Sequence, residues 1–189
     1  MNSSSLYKHP LAYKFLGTIP YSISDDGNLR FLLGREHPEK GWSDQLKWAT
    51  FGGKPEISDP SVYHGAARET YEESMGFLGS HQEILDTIFN RIPYQSYEAL
   101  VFPMEINYNP ELPKLFSDVY KYASNCMKLN NKNYANISSC PEGFYEKVEI
   151  GWFTVNDIIR YRNSMRPDFY NFFAHVIMQD PQINKFYSK

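Results

Sequence analysis

The chain has 189 residues, of which 42% are hydrophobic and 16% aromatic, and its formal net charge is −3 at pH 7. This composition excludes a largely disordered chain and predicts a single globular domain over residues 1–189. The negative charge gives no global attraction for nucleic acid, so contact with RNA would need a local basic patch. No apolar run reaches membrane-spanning length. Because no secretory signal precedes Cys126 and Cys140, we expect free thiols and a soluble, cytoplasmic protein with no membrane partner.

The first half of the chain alternates predicted strands with turns. In chain order the sequence predicts strands at 12–23 and 29–34, a polar loop at 35–45, a strand at 46–51, a helix at 60–75 and a strand at 97–106. Gly17 and Pro20 should interrupt the first strand. Asp59 or Ser58 is expected to cap the helix, because both are favoured N-cap residues.

The second half adds a predicted insertion at about 109–142. It combines an amphipathic helix at 113–128 with an Asn-rich segment at 130–141 that has no periodicity. This segment is either a lid or a surface excursion, and the excursion is favoured because most long loops only cross the surface. A strand at 148–154 and helices at 155–161 and 167–178 follow. Together the elements predict an α/β fold, a helix, sheet, helix sandwich.

The central motif is Arg68-Glu69-Thr70-Tyr71-Glu72-Glu73, which follows the glycine turn Gly52-Gly53. On a helix with about 3.6 residues per turn, Glu69, Glu72 and Glu73 share one face. Like charges at this spacing destabilise a helix unless a cation neutralises them, and Mg²⁺ or Mn²⁺ prefers such oxygen ligands together with substrate phosphates. The alternative is a solvated acidic face. Arg68 is expected to brace a carboxylate or the incoming turn with its guanidinium fork.

These residues resemble the Nudix hydrolase family, whose box reads G, five residues, E, seven residues, REUxEExGU, where U is a bulky aliphatic residue. The matching positions are Gly53, Arg68, Glu69, Glu72, Glu73 and Gly76. The chain departs from the box in three places. Asp59 falls where the box has its first Glu, with one extra residue before Arg68; Thr70 replaces an aliphatic residue; and Ser74-Met75 adds one residue before Gly76.

The resemblance implies a Nudix-like α/β/α sandwich with a mixed β-sheet over nearly the whole chain. It also implies hydrolysis of a diphosphate linkage by a metal-activated water. Glu69, Glu72 and Glu73 would be the metal ligands, and the Gly52 carbonyl would complete the shell, since a tight glycine turn can aim its backbone oxygen at the metal. Glu69, Glu146 or Glu149 would orient or deprotonate the water. A homodimer is possible, because dimers are common in the family.

Candidate substrate contacts lie outside the box. Arg35 and Lys54 could bind phosphate, although solvated side chains would look the same in sequence. Three aromatic residues, Trp42, Tyr94 and Tyr97, could stack on a nucleobase or simply pack. His64 has no second His at ligand spacing, so packing or solvent contact is the better interpretation.

Three functions are compatible with this sequence. The first is hydrolysis of a small nucleoside diphosphate compound, such as a nucleotide sugar, a dinucleotide or a nucleoside triphosphate. The second is removal of the 5′ cap from RNA, for which Lys121, Lys128 and Lys132 near the Asn-rich segment offer positive charge. The third is a non-catalytic nucleotide-binding or RNA-binding module, which the altered box permits and the intact helix carboxylates disfavour.

Overall fold

The computed structural model describes residues 9–38, 45–129 and 143–187. The strands are β1 (Phe15–Ile23), β2 (Leu29–Glu36), β3 (Trp48–Ala49), β4 (Phe51–Gly53), β5 (Tyr94–Gln95), β6 (Ala99–Glu105) and β7 (Lys147–Thr154). The helices are α1 (Val62–Glu73), α2 (His81–Ile88), α3 (Leu112–Leu129), α4 (Val155–Arg160), α5 (Pro167–His175) and α6 (Pro181–Asn184). The Asn-rich segment predicted at 130–141, Trp42 and Cys140 lie outside the described residues.

The strands form one mixed sheet in the order β3-β2-β1-β6-β5, with β4 paired to β1 and β7 paired to β2. Only β1 and β6 run parallel, from Phe15 opposite Ala99 to Tyr21 opposite Glu105, among the pairings of the described strands. The other edge of β1 pairs first with β4 and then with β2. This arrangement places Gly52 and Gly53, which belong to β4, against the middle strand of the sheet.

Helices cover both faces of the sheet. Because side chains alternate along a strand, Leu16 of β1 packs with α1 and α2, whereas Ile19 of the same strand packs with α4 and α5. The predicted α/β/α sandwich with a mixed sheet is therefore confirmed. Phe116 of α3 is fully buried against Leu32 and Ile150. None of the helices in the described part of the chain has the length and apolarity needed to span a bilayer.

The interruption predicted in β1 is wrong, since the strand runs through both Gly17 and Pro20. Pro20 lies between the stretch that pairs with β4 and the stretch that pairs with β2, so no ladder partner on that edge needs its missing N–H. Gly17 is required by close packing: a Cβ there would lie 2.2 Å from the Phe51 carbonyl oxygen. Without a side chain at position 17, β4 can lie against β1.

Two further details correct the sequence analysis. The N-cap of α1 is Ser61, not Asp59 or Ser58. Helix α2 was not predicted from the sequence. It begins with a capping box, in which the Glu83 N–H donates to Ser80 Oγ and the Ser80 N–H donates to Glu83 Oε2. That box is readable in the sequence as Ser-x-x-Glu.

Candidate active site

A cavity of about 870 Å³ lies beside α1 and has two chemically different walls. The acidic wall comes from α1, the glycine turn, the end of β2 and the loop before β7, and it includes Glu36, Glu56, Glu69, Glu72, Glu73 and Glu146. The apolar wall comes from α5 with β1 and β6, and it includes Phe15, Val101, Phe169, Phe172 and Val176. Such a cavity can take a ligand with a charged part and a flat apolar part.

Arg68 joins the glycine turn to α1. Its Nε donates to Asp59 Oδ1 at 3.1 Å, and its Nη2 donates to Asp59 Oδ2 at 3.2 Å and to the Lys54 carbonyl at 3.1 Å. Asp59, which is 6% exposed, also accepts the Glu56 N–H at 2.7 Å. Arg68 thus braces both a carboxylate and the incoming turn, as its planar donor fork allows.

Glu69 and Glu72 are crowded and partly buried on the face of α1 that lines the cavity. Burial raises the pKa of each carboxyl group to about 7. The positive charge of Arg68 acts in the opposite direction, whereas the negative charge of Glu146 raises both pKa values further. Arg68 Nη1 lies 3.0 Å from Glu69 Oε1 and 3.1 Å from Glu72 Oε2. Among the described residues, Arg68 contacts only one oxygen of each carboxylate.

Glu73 belongs to a deeper, ion-paired part of the cluster. It is 3% exposed; its Oε2 accepts the Gly52 N–H at 2.7 Å and its Oε1 lies 3.0 Å from Lys147 Nζ. Lys147 Nζ also donates to Glu36 Oε1 at 2.7 Å, and Arg166 Nη1 donates to that oxygen at 3.1 Å. The two oxygens of Glu73 are therefore both held by donors of the protein itself.

The departures from the family box are accommodated locally. Thr70 is fully buried, donates to the Ala66 carbonyl at 2.7 Å and shares a 2.9 Å hydrogen bond with Thr18 Oγ1, so its hydroxyl is satisfied. The extra residue before Gly76 falls in the turn after α1, where Met75 and Gly76 both have positive φ angles, 51° and 74°. The carboxylate face of α1 is left intact.

The structure brings most of the predicted site residues together. Gly52, Lys54, Arg68, Glu69, Glu72 and Glu73 all line the cavity, as does Glu146. Tyr94 donates to Asp180 and Tyr97 is 87% exposed; neither is among the lining residues. His64 shares a hydrogen bond with Ser61, in keeping with a packing role. Trp42 lies outside the described residues.

Arg35 and Glu149, predicted to bind phosphate and to act in catalysis, are not among the residues that line the cavity. They are paired across β2 and β7, with Arg35 Nη1 3.1 Å from Glu149 Oε2, and Arg35 also lies over the Trp48 ring. Neighbouring Ile150 is buried on the α1 side of the sheet, so alternation along β7 directs Glu149 to the opposite side. A catalytic role for Glu149 and phosphate binding by Arg35 therefore stay predictions.

Several residues of the site were missed by sequence reasoning: Glu36, Arg166, Phe169 and Phe172, which line the cavity, and Lys147, which pairs with Glu36 and Glu73 behind that lining. Lys147 and Glu36 are 111 positions apart, and only the register of β2 with β7 brings them together. Phe169 and Phe172 fall in the helix predicted at 167–178, but which face of that helix lines a cavity depends on tertiary packing. No local motif marks any of them.

Within the described ranges, no group of three or more His, Cys, Asp or Glu side chains is arranged to hold a metal ion. The contacts explain this result, because Arg68, Lys147 and the Gly52 N–H occupy carboxylate oxygens of Glu69, Glu72 and Glu73. The available donors are nevertheless all carboxylate oxygens, which suits Mg²⁺ or Mn²⁺. Glu69 and Glu72, each with one oxygen contacted by Arg68, fit a hard cation better than Glu73.

No family model and no curated protein matches the chain. Three solved structures that it resembles have low identity. A bifunctional NMN adenylyltransferase/ADP ribose pyrophosphatase of Francisella tularensis, complexed with AMP and an Mn ion, is 17% identical with a TM-score of 0.48 over 90% of this chain and 42% of that chain. RenU, a Nudix hydrolase of M. smegmatis, is 10% identical with a TM-score of 0.49 over 89% of this chain and 84% of that chain.

The third is the NUDIX domain of NrtR from Shewanella oneidensis, complexed with ADP ribose, which is 9% identical with a TM-score of 0.41 over 85% of this chain and 82% of that chain. This chain spans less than half the length of the Francisella protein. Because these identities and TM-scores are low, a function for this chain has to be inferred from its own residues.

Proposed function

We propose that this chain is a Nudix-type pyrophosphohydrolase that uses Mg²⁺ or Mn²⁺ to cleave a diphosphate linkage in a small nucleoside diphosphate-linked compound. The observation that carries the proposal is the cavity itself, whose lining includes both the box carboxylates and the aromatic residues Phe169 and Phe172. A cation bound to the carboxylates would hold a diphosphate. The aromatic residues would stack on the flat π-face of a nucleobase.

Glu69 and Glu72 are the proposed cation ligands. They share a helix face, line the cavity and have pKa values raised to about 7 by burial, so a nearby cation would relieve unfavourable negative charge. When bound, a divalent cation would lower the pKa of a coordinated water and neutralise charge that develops on the phosphate oxygens. Arg68 holds both side chains in place.

Glu146 is the proposed general base. It lines the cavity and is close enough to Glu69 and Glu72 to influence the pKa of both. In the proposed reaction the water oxygen forms a bond to one phosphorus and the bridging oxygen leaves with the other phosphate. Glu146 would accept the proton that the attacking water loses.

The apolar wall is the proposed nucleobase subsite. Phe169 and Phe172 lie next to Asn171 and Asp168 on α5, and all four line the cavity. The rings would stack on a base, while the amide and carboxylate offer hydrogen bonds to its edge. Lys54, on the opposite wall beside Arg68, is a candidate phosphate contact.

A small substrate is favoured over capped RNA. The lining of the cavity carries the carboxylates of Glu36, Glu56, Glu69, Glu72, Glu73, Glu98, Glu146 and Asp168, against the cations of Lys14, Lys54, Arg68 and Arg166. This excess of negative charge would repel a run of RNA phosphates. The positive charge invoked for RNA binding includes Lys132, which is not among the described residues.

The test is product release from nucleotide sugars, dinucleotides, nucleoside triphosphates, ADP-ribose and capped RNA, each with Mg²⁺ or Mn²⁺. The native protein should cleave a small compound, and Glu72→Gln should lower the rate by about 10²-fold or more. Glu149→Gln is the matched control, because it makes the same chemical change at a carboxylate outside the cavity. A folded protein that cleaves no member of the panel, or an equal loss in both variants, would contradict the proposal.

A further inference from the structure

A fully buried lysine lies inside the carboxylate cluster. Lys147 is 1% exposed, and its Nζ lies 2.7 Å from Glu36 Oε1 and 3.0 Å from Glu73 Oε1. The carboxylates of Glu36 and Glu73 are buried as well, and both form ion pairs with the same ammonium group. The ammonium group is therefore a fixed positive charge between two buried carboxylates.

The sheet is shaped to admit this side chain. A register shift between Arg35 and Glu36 places one extra residue of β7 opposite β2, and such a bulge changes the side of the sheet to which a side chain points. Lys147 thereby reaches the face on which Ile150 is buried. Its stem crosses Gly34, where a Cβ would lie 2.8 Å from Lys147 Cγ.

The same contacts limit the ability of Glu73 to bind a divalent cation. Its Oε1 faces Lys147, and its Oε2 accepts the Gly52 N–H at 2.7 Å. A divalent cation that also bound Glu73 would lie close to the ammonium, and two such charges about 4 Å apart repel strongly where water is excluded. The Lys147 ammonium group and a divalent cation bound to Glu73 therefore exclude each other.

We propose that Lys147 is a tethered cation that takes the place of a divalent ion in the inner part of the cluster. The site then binds its divalent cation through Glu69 and Glu72 in the outer part. Glu73 is a positioning residue, which holds the glycine turn through the Gly52 N–H. This inference rests on the proposed function in one respect, namely that a divalent cation binds the outer carboxylates.

The first experiment counts Mn²⁺ ions bound by the full chain, by electron paramagnetic resonance and calorimetric titration without substrate. Lys147→Met keeps most of the apolar stem over Gly34 and removes the charge. This variant should bind one more Mn²⁺ than the native protein, and Mn²⁺ should raise its Tm by more than it raises the native Tm. An unchanged stoichiometry with an unchanged Mn²⁺ effect on Tm would overturn the proposal. If the variant folds only with Mn²⁺ present, that dependence supports it.

A second variant tests the role of Glu73 without removing the lysine. Glu73→Gln keeps an oxygen acceptor for the Gly52 N–H. Its Mn²⁺ affinity should stay within about tenfold of the native value, the lower limit of what outer-shell changes cost. A larger loss, matching that of Glu69→Gln, would show that Glu73 is a direct ligand and would overturn the proposal.

The two proposals fail in different ways. If the native protein binds Mn²⁺ but hydrolyses nothing, the proposed function fails, while an additional Mn²⁺ in Lys147→Met still supports the tethered cation. If the native protein hydrolyses a substrate and Lys147→Met gains no ion, only the tethered cation is overturned.

Discussion

Arg68 and Asp59 form a two-point ion pair, with Nε 3.1 Å from Oδ1 and Nη2 3.2 Å from Oδ2. Asp59 stands where the family box has a longer Glu, and the interval from Asp59 to Arg68 is one residue longer than in the box. The shorter carboxylate still reaches Arg68, and it also accepts the Glu56 N–H. The irregular box therefore retains the contact that ties the turn to the helix.

We expect Asp59→Asn to loosen the glycine turn. The change leaves Arg68 without a charged partner on that side and weakens two hydrogen bonds, which should lower the free energy of unfolding by about 1–3 kcal/mol. Urea unfolding would measure this. Asp118→Asn, which removes an exposed partner of Lys114 on α3, is the control and should leave stability unchanged. Equal effects of the two changes would contradict a bracing role for Asp59.

The raised pKa values of Glu69 and Glu72 predict a pH dependence of stability in metal-free protein. Both folded-state values are about 7, above the ordinary value of 4.5, so the folded state binds protons more tightly than the unfolded state. Stability should therefore fall as the pH rises from about 4.5 to about 7, and then level off. Allowing for solvent screening, we expect a loss of about 1–2 kcal/mol.

Urea unfolding with a chelator, from pH 5 to pH 8.5, tests this expectation. The Glu69→Gln/Glu72→Gln double variant should show a smaller decline than the native chain, which separates these carboxyls from the histidines that titrate in the same range. Parallel curves for the two proteins would contradict the assigned pKa shifts. Addition of Mg²⁺ should stabilise the native protein more at pH 8 than at pH 5.5, because binding requires ionised carboxylates.

Phe172→Ala should weaken nucleotide binding. A ring that stacks on a base contributes about 1–3 kcal/mol, so the Kd for ADP should rise about tenfold. Tyr97→Ala is the matched control, since Tyr97 is an aromatic residue that does not line the cavity. Calorimetric titration of both variants with ADP would measure the effect. If Tyr97→Ala weakened binding and Phe172→Ala did not, the base would have to lie elsewhere.

Glu146→Gln should lower kcat by about 10²–10⁴-fold with little change in KM, as expected for loss of a general base. The variant should still bind Mn²⁺, because Glu69 and Glu72 remain. Steady-state kinetics and Mn²⁺ titration of the same preparation would separate the two effects. Loss of Mn²⁺ binding together with activity would instead assign Glu146 as a metal ligand.

Part of this site could be predicted, because it depends on the spacing of residues that are close together in the sequence. Helical periodicity places Glu69, Glu72 and Glu73 on one face, and the donor fork of Arg68 indicated that it would brace a carboxylate or the incoming turn, without identifying Asp59 as the partner. Ser80 and Glu83 also have the spacing of a capping box, so the start of α2 could have been predicted from the sequence. The role of Lys147 depends instead on a bulge and on strands far apart in the chain. Likewise, the pairing of Glu149 with Arg35 follows from the register of β7 with β2, which no local pattern specifies.

Gly34→Ala tests whether that register matters for stability. The new Cβ would lie 2.8 Å from Lys147 Cγ, 2.9 Å from Cδ and 3.2 Å from Cε, and the buried ammonium, held by Glu36 and Glu73, cannot swing away without breaking its ion pairs. Overpacking of this kind costs about 1–3 kcal/mol, so urea unfolding should show a loss in that range and Mn²⁺ binding should change with it. Gly27→Ala is the control, because nothing lies within 4 Å of its Cβ and only its φ of 73° opposes the substitution, at a cost of about 1 kcal/mol. A Gly34→Ala protein as stable as the native chain would mean that Lys147 does not occupy this path across the sheet.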